Sequence, residues 1–187
     1  MSQDEVIGRV VDALVELSVP YMVAGSFASN LHGVPRMTQD ADIVIDVDET
    51  LALRLVRLLQ REFYATEEAA REAVRLHRMF NAIHFETGFK VDLVVKKLRP
   101  FSSEELRRRE PGKLGGRTVD FATAEDTILT KLEWAKQSGS ERQVGDAVGI
   151  IRVQQDRLDW HYLERWAADL DLLDMLARAR QGSRAEP

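Results

Sequence analysis

Two aspartates stand two residues apart in the run Asp40-Ala41-Asp42-Ile43-Val44-Ile45, whose composition is that of a strand. Side chains on a strand alternate between faces, so both carboxylates point the same way. Like charges side by side each favour protonation. Such a pair persists where water reaches it or where a cation sits between. Magnesium takes hard oxygen ligands, commonly one or two carboxylates together with substrate phosphates. A third acid, Asp92, interrupts the otherwise apolar run Val91-Asp92-Leu93-Val94. A charge there needs a partner or a metal. If the two runs are neighbouring strands, three carboxylates converge. The plain alternative is a surface strand edge, and Asp46 and Asp48 make that segment acidic in any case. Upstream, Gly25-Ser26 follows the apolar run Tyr21-Met22-Val23-Ala24. A glycine between strand and helix lets a ligand approach the backbone, and a helix N-terminus offers N–H groups to a phosphate. Simple capping by Ser26 explains the dipeptide equally well. Gly-Ser followed by Asp-x-Asp is the stronger combination.

The elements needed to hold these residues can be read along the chain. Ser2 to Glu5 forms a capping box ahead of a helix with Val6, Val10, Leu14 and Leu17 on one face, ending before Pro20. Strands are expected at Tyr21–Ala24 and Asp40–Val47, with a short helix from Phe27 to Leu31 and another from about Thr50. Phe80–Glu86 and Phe89–Val95 read as a hairpin about Thr87-Gly88. Residues 96–117 read as a polar, basic stretch, followed by a brief strand at Val119–Phe121. Helices then start at Thr123, at a capping box Ser140-Glu141-Arg142-Gln143, and at Asp159, where Leu163, Trp166, Ala167 and Leu170 form the apolar stripe. The tail beyond Arg180 is expected to fray. The three tryptophans read as core, and His32 and His84 as structural. The expected fold class is α+β: a small mixed β-sheet with helices packed on it, over residues 1–122, followed by a C-terminal helical segment over 123–187.

Composition narrows the function classes. The 187 residues contain no cysteine, which excludes disulfides and thiolate zinc sites. The formal net charge of −5 argues against a protein that coats nucleic acid. The N-terminus lacks the basic start and apolar block of a signal peptide, and no apolar run reaches membrane-spanning length, so a cytoplasmic location is expected. Walker A, His-Glu-x-x-His, Gly-x-Ser-x-Gly and Gly-x-Gly-x-x-Gly patterns are missing. Residues 96–117 hold eight basic and three acidic side chains, a local +5 within a chain of −5.

With Val23-Ala24-Gly25-Ser26, a thirteen-residue spacer and Asp40-Ala41-Asp42-Ile43, the chain resembles the DNA polymerase β-like nucleotidyltransferases. Arg36-Met37-Thr38-Gln39-Asp40 is similar to the Arg-x-Thr-x-Asp of many members, and Asp92 stands for the third family carboxylate. Glu125 to Leu132, with Lys131, and the later Asp146 resemble segments of AbiEii-like toxin nucleotidyltransferases. The resemblance implies the nucleotidyltransferase fold and transfer of a nucleoside monophosphate from a nucleoside triphosphate to a hydroxyl. It implies two Mg2+ ions, with Mn2+ as an alternative, on Asp40, Asp42 and Asp92. Gly25, Ser26, Arg36, Lys131 and Asp146 would then bind the nucleotide. From the residues alone, Lys131 reads as cleft-directed or snorkelling, and Asp146 as an i,i+4 partner of Arg142. Three functional classes follow. The first is a transferase to RNA, above all tRNA, with the basic segment from Lys96 to Arg117 as acceptor surface and an antitoxin protein as partner. The second is a transferase to a small molecule or protein, and the third a non-catalytic binding module. Oligomeric state is left open.

Overall fold

The computed structural model describes residues 1–184. In chain order the elements are α1 (Gln3–Glu16), β1 (Tyr21–Ala24), α2 (Gly25–His32), β2 (Asp40–Ile45), α3 (Glu49–Leu59), β3 (Phe63–Tyr64), α4 (Glu67–Leu76), β4 (Met79–His84), β5 (Lys90–Val95), α5 (Pro100–Arg108), β6 (Glu110–Leu114), β7 (Arg117–Phe121), α6 (Ala124–Ser138), α7 (Glu141–Gln154), α8 (Trp160–Asp169) and α9 (Leu173–Arg184). They form two compact units. One comprises Met1–Ala24 and Thr38–Phe121, the other Gly25–Met37 and the described residues from Ala122 onward. No helix among the described residues is long and apolar enough to cross a membrane.

The first unit is built on a mixed sheet of order β3-β4-β5-β2-β1-β7-β6. Its centre is the parallel pair β2–β5, flanked by antiparallel β1 and β4. One face carries Ala41, Ile43 and Ile45 of β2, Val91, Leu93 and Val95 of β5, and Phe80 and Ala82 of β4, all buried. Helices α1, α3 and α4 pack on one another in sequence, and α4 lies against β4 and β5. Each has a side-chain cap: the Ser2–Glu5 box expected on α1, and Asp48 on α3 and Thr66 on α4, which were not anticipated from the sequence. The hairpin between β4 and β5 turns at Gly88 with φ +67°, a conformation glycine adopts without penalty.

The stretch 96–117 is more ordered than its polarity suggests. Pro100 starts α5, and β6 and β7 form a hairpin at the end of the sheet. Pro111 is tolerated because β6 is an edge strand.

The second unit is helical. Thr123 caps α6, accepting from the Asp126 N–H, while the Asp126 carboxylate receives the hydroxyls of Thr123 and Tyr162 at 2.8 and 2.6 Å. The expected box at Ser140 does not form, since its side chain makes no capping bond. Trp166 is buried as expected, whereas Trp134 is 50% exposed on α6, contrary to the expectation of core packing. Its helix buries Ile128, Leu132 and Ala135, and Trp134 falls off that stripe. Trp160 lies under the Arg180 guanidinium at 3.9 Å. The chain beyond Arg180 continues as helix to Arg184 rather than fraying there, and 185–187 lie outside the described residues.

Candidate active site

Strand register places the carboxylates. Asp42 pairs with Asp92 across the parallel β2–β5 ladder, and Asp40 pairs with Lys90. Asp92 pairs in turn with Asn81 on β4, and Lys90 with Ile83. Paired residues share a face, so the face opposite α4 reads as a grid. One row is Tyr64, Ile83, Lys90, Asp40; the next is Asn81, Asp92, Asp42, Ala24; the third is Met79, Val94, Val44, Met22. The three expected carboxylates occupy adjacent positions of this grid. Towards β1 the face is covered, with Met22 fully buried. Towards β3 and β4 it is open: Tyr64, Met79, Ile83 and Phe85 are exposed.

The side chains on this face are already engaged. Asp92 is almost fully buried, with Asn81 Nδ2 donating to its Oδ1 and Lys90 Nζ lying 2.8 Å from its Oδ2. The same ammonium group lies 3.5 Å from Asp40 Oδ2. The hydrogen bond to Asp92, aided by the charge of Asp40, holds the Lys90 amine above its ordinary pKa. Thr38 Oγ1 donates to Asp40, fixing the start of β2. Asn81 and Lys90 were not anticipated from the sequence. Their signal is register, which becomes readable only once strand order is known.

A second cluster forms within the helical unit. Asp146, on α7, receives Arg36 Nε on Oδ1 and Arg36 Nη2 on Oδ2, both at 2.7 Å, and Lys131 Nζ on Oδ2 at 2.8 Å. This corrects the expected partner: Asp146 is bound by Arg36 and Lys131, not by Arg142 one turn earlier. The side chains of Asp146 and Lys131 are only 8% and 5% exposed, and a carboxylate taken out of water needs close cations. Lys131 is therefore not a snorkelling surface lysine. Burial pushes the Asp146 carboxyl up, but the Arg36 and Lys131 hydrogen bonds outweigh it and hold it below the usual carboxylate range. Arg36 Nη2 also donates to Ser26 Oγ at 2.9 Å. Asn30 bonds the Arg36 backbone through both ends of its amide. Ser26, Arg36, Lys131 and Asp146 thus form one network, with two cations on one anion. Gly25 opens α2 at φ +57°, the left-handed conformation that favours glycine. On the same helix as Asp146, three residues earlier, the Gln143 amide oxygen is enclosed without a hydrogen-bond partner among the described residues.

The two histidines read as structural have structural partners. Buried His32 places Nε2 2.7 Å from the Ala122 carbonyl, so that nitrogen carries the proton. His84 packs edge-on to Phe63 and bonds Thr87. Much of the basic segment is tied into the first unit. Lys96 pairs with Asp46, Arg107 with Glu104, Arg109 with Asp120 and Arg117 with Asp12. The concavity bounded by Glu49, Arg71 and Arg75 belongs to α3 and α4, on the layer opposite the carboxylates.

The chain matches no protein-family model and no curated protein sequence. It does match solved structures across nearly its whole length. ANT(2")-Ia in complex with adenylyl-2"-tobramycin is 16% identical, with 97% of this chain and 99% of that one covered and a TM-score of 0.60. An antigenic nucleotidyltransferase-like protein from Paracoccidioides brasiliensis is 20% identical, covering 97% and 94% at 0.57. The lincosamide antibiotic adenylyltransferase LnuA, lincomycin-bound, is 13% identical, covering 80% and 96% at 0.53. The expectation drawn from Gly25-Ser26 and Asp40-Ala41-Asp42 is met at the level of architecture: this chain has the nucleotidyltransferase fold.

Proposed function

We propose that the protein is a metal-dependent nucleotidyltransferase that moves a nucleoside monophosphate from a nucleoside triphosphate to a hydroxyl acceptor. The observation that carries this reading is the register of Asp42 opposite Asp92 with Asp40 beside them, on a sheet face open towards β3 and β4. Divalent magnesium or manganese suits the hard oxygen donors of Asp40, Asp42 and Asp92, and the Lys90 ammonium group among them supports a cation at that place. As arranged, no group of three acid or imidazole side chains among the described residues stands ready to hold a metal, and Asp40 and Asp92 both lie against Lys90. When bound, such ions supply activation of the acceptor hydroxyl and neutralise the triphosphate.

The acceptor oxygen forms its bond to the α-phosphorus as the bond to the bridging β-phosphate oxygen breaks, and pyrophosphate leaves. Asp92 takes the hydroxyl proton. The sequence resemblance assigns Gly25, Ser26, Arg36 and Lys131 to the triphosphate, and Ser26, Arg36 and Lys131 already share one network within the helical unit. Asp146 holds Arg36 and Lys131 in place.

A nucleoside triphosphate with magnesium is expected to stabilise the native chain. At a hundredfold excess over Kd, the gain is about 2.7 kcal/mol, or about 5–10 °C in Tm. A thermal scan with all four ribonucleotides checks this and identifies the base. No shift with any of them at millimolar ligand would remove the nucleotide site.

For the acceptor, a small molecule or protein with an apolar part fits best. Tyr64, Ile83 and Phe85 are exposed on the carboxylate face, while Lys96, Arg107, Arg109 and Arg117 of the basic segment are held in internal ion pairs. Two structural neighbours are named for antibiotic acceptors or their adenylylated product, which agrees with this reading. RNA is the second reading, favoured by the local +5 between Lys96 and Arg117. A toxin role, tRNA as acceptor and an antitoxin partner rest on the sequence resemblance alone. Replacing Arg107, Arg108 and Arg109 together by Ala separates the two. On the first reading RNA is not labelled by either protein. Labelling of RNA by the wild type, lost with a reduced salt slope in the triple variant, would establish the second.

A further inference from the structure

Lys90 has a place in this site that its composition does not announce. Of the two oxygens of Asp92, Oδ1 is taken by Asn81 and Oδ2 by Lys90. Asn81 is neutral and belongs to the neighbouring strand in register, so it orients the carboxylate without neutralising it. Among the described residues, Lys90 brings positive charge to Asp92, and it reaches Asp40 as well. Its ammonium therefore stands where a cation shared by Asp40 and Asp92 would stand. A divalent ion on Asp92 Oδ2 would meet the Lys90 ammonium already 2.8 Å from that oxygen, and the two like charges repel. The lysine is also free to leave: its side chain is 37% exposed, against 6% for Asp92, and its stem has four rotatable bonds.

We propose that Lys90 is a resident counter-ion of the acidic face, holding Asp40 and Asp92 together until a divalent cation displaces it, and so setting how tightly the face takes metal. This rests on the metal-site reading above and adds to it a residue outside the carboxylate set. Without metal, Lys90 relieves the repulsion among Asp40, Asp42 and Asp92 and compensates the buried Asp92 charge. With metal, its ammonium moves away into solvent. Metal loading is then an exchange of one cation for another, and its affinity is lowered by what Lys90 gave the free site.

Calorimetric titration with Mn2+ alone tests this on the wild type, Lys90→Met and Lys90→Arg. Lys90→Met is expected to bind Mn2+ at least tenfold more tightly, with a lower metal-free Tm and a larger rise in Tm on adding Mn2+. Lys90→Arg, which keeps the charge, should stay within a few-fold of wild type. Wild-type binding with equal or weaker binding by Lys90→Met overturns the proposal and leaves the metal site standing. No Mn2+ binding by any of the three overturns both. Amine labelling of the native wild-type chain, read by mass spectrometry, needs no variant. Saturating Mg2+ should speed acylation of Lys90 several-fold relative to Lys113, and an unchanged ratio contradicts displacement.

Discussion

Asp42→Asn is expected to abolish nucleotide transfer, by about a thousandfold or more, while leaving the fold intact. That is the upper scale for removing one electrostatic catalytic group. The side chain keeps its shape, but the charge opposite Asp92 is gone. Asp42 is also one of three acids on adjacent grid positions, so removing its charge eases repulsion. Stability without metal should hold or rise. Single-turnover transfer measured beside a thermal melt separates the two effects. Undiminished turnover would remove Asp42 from the metal site, and a collapsed melt would make it a structural residue.

Asp146→Ala is expected to act in the other direction, on stability first. Its carboxylate is buried and holds Arg36 through two hydrogen bonds and Lys131 through one. Removing it takes away the carboxylate that both cations share, one of them the buried Lys131. Breaking a buried pair in this way costs about 3–5 kcal/mol, or about 6–20 °C in Tm for a chain of this size. Because Arg36 and Lys131 lower the Asp146 carboxyl, its contribution is present above the unfolded pKa of about 3.9 and fades as pH falls through the lower folded value. The stability gap between wild type and variant should therefore be constant near neutrality and close only in strong acid. Triphosphate affinity should fall as well, since Arg36 and Lys131 lose their placement. Denaturant melts against pH, together with nucleotide titration, check this. A gap that closes already near pH 6 would contradict the pairing.

The legible parts of the site are those set by local rules. Alternation along a strand put Asp40 and Asp42 on one face, and the apolar neighbours of Asp92 marked it as a charge in need of company. The cap at Thr123 and the box at Ser2 are local hydrogen-bond patterns, and both form. The illegible parts depend on distant partners. Lys90 and Asn81 gain meaning only through register, and Arg36 reaches Asp146 across 110 residues of sequence. Spacing along α7 offered Arg142 instead, but a buried carboxylate is decided by the cations that can be buried with it. The segment 96–117 hid α5 and β6 behind basic composition and prolines, although Pro100 suits a helix start and Pro111 an edge strand. Helix α4 was missed because only Ala70 and Ala73 are buried on it, too small a stripe to stand out.

The central claim is nucleotide transfer, and one measurement addresses it directly. The purified protein is incubated with magnesium, a cell extract and each nucleoside triphosphate in turn, labelled at the α-phosphorus. Fractionation into protein, RNA and small molecules then locates the label. The account expects label from at least one nucleotide to appear covalently in one fraction, with pyrophosphate released in equal amount. No label in any fraction from all four nucleotides would contradict it.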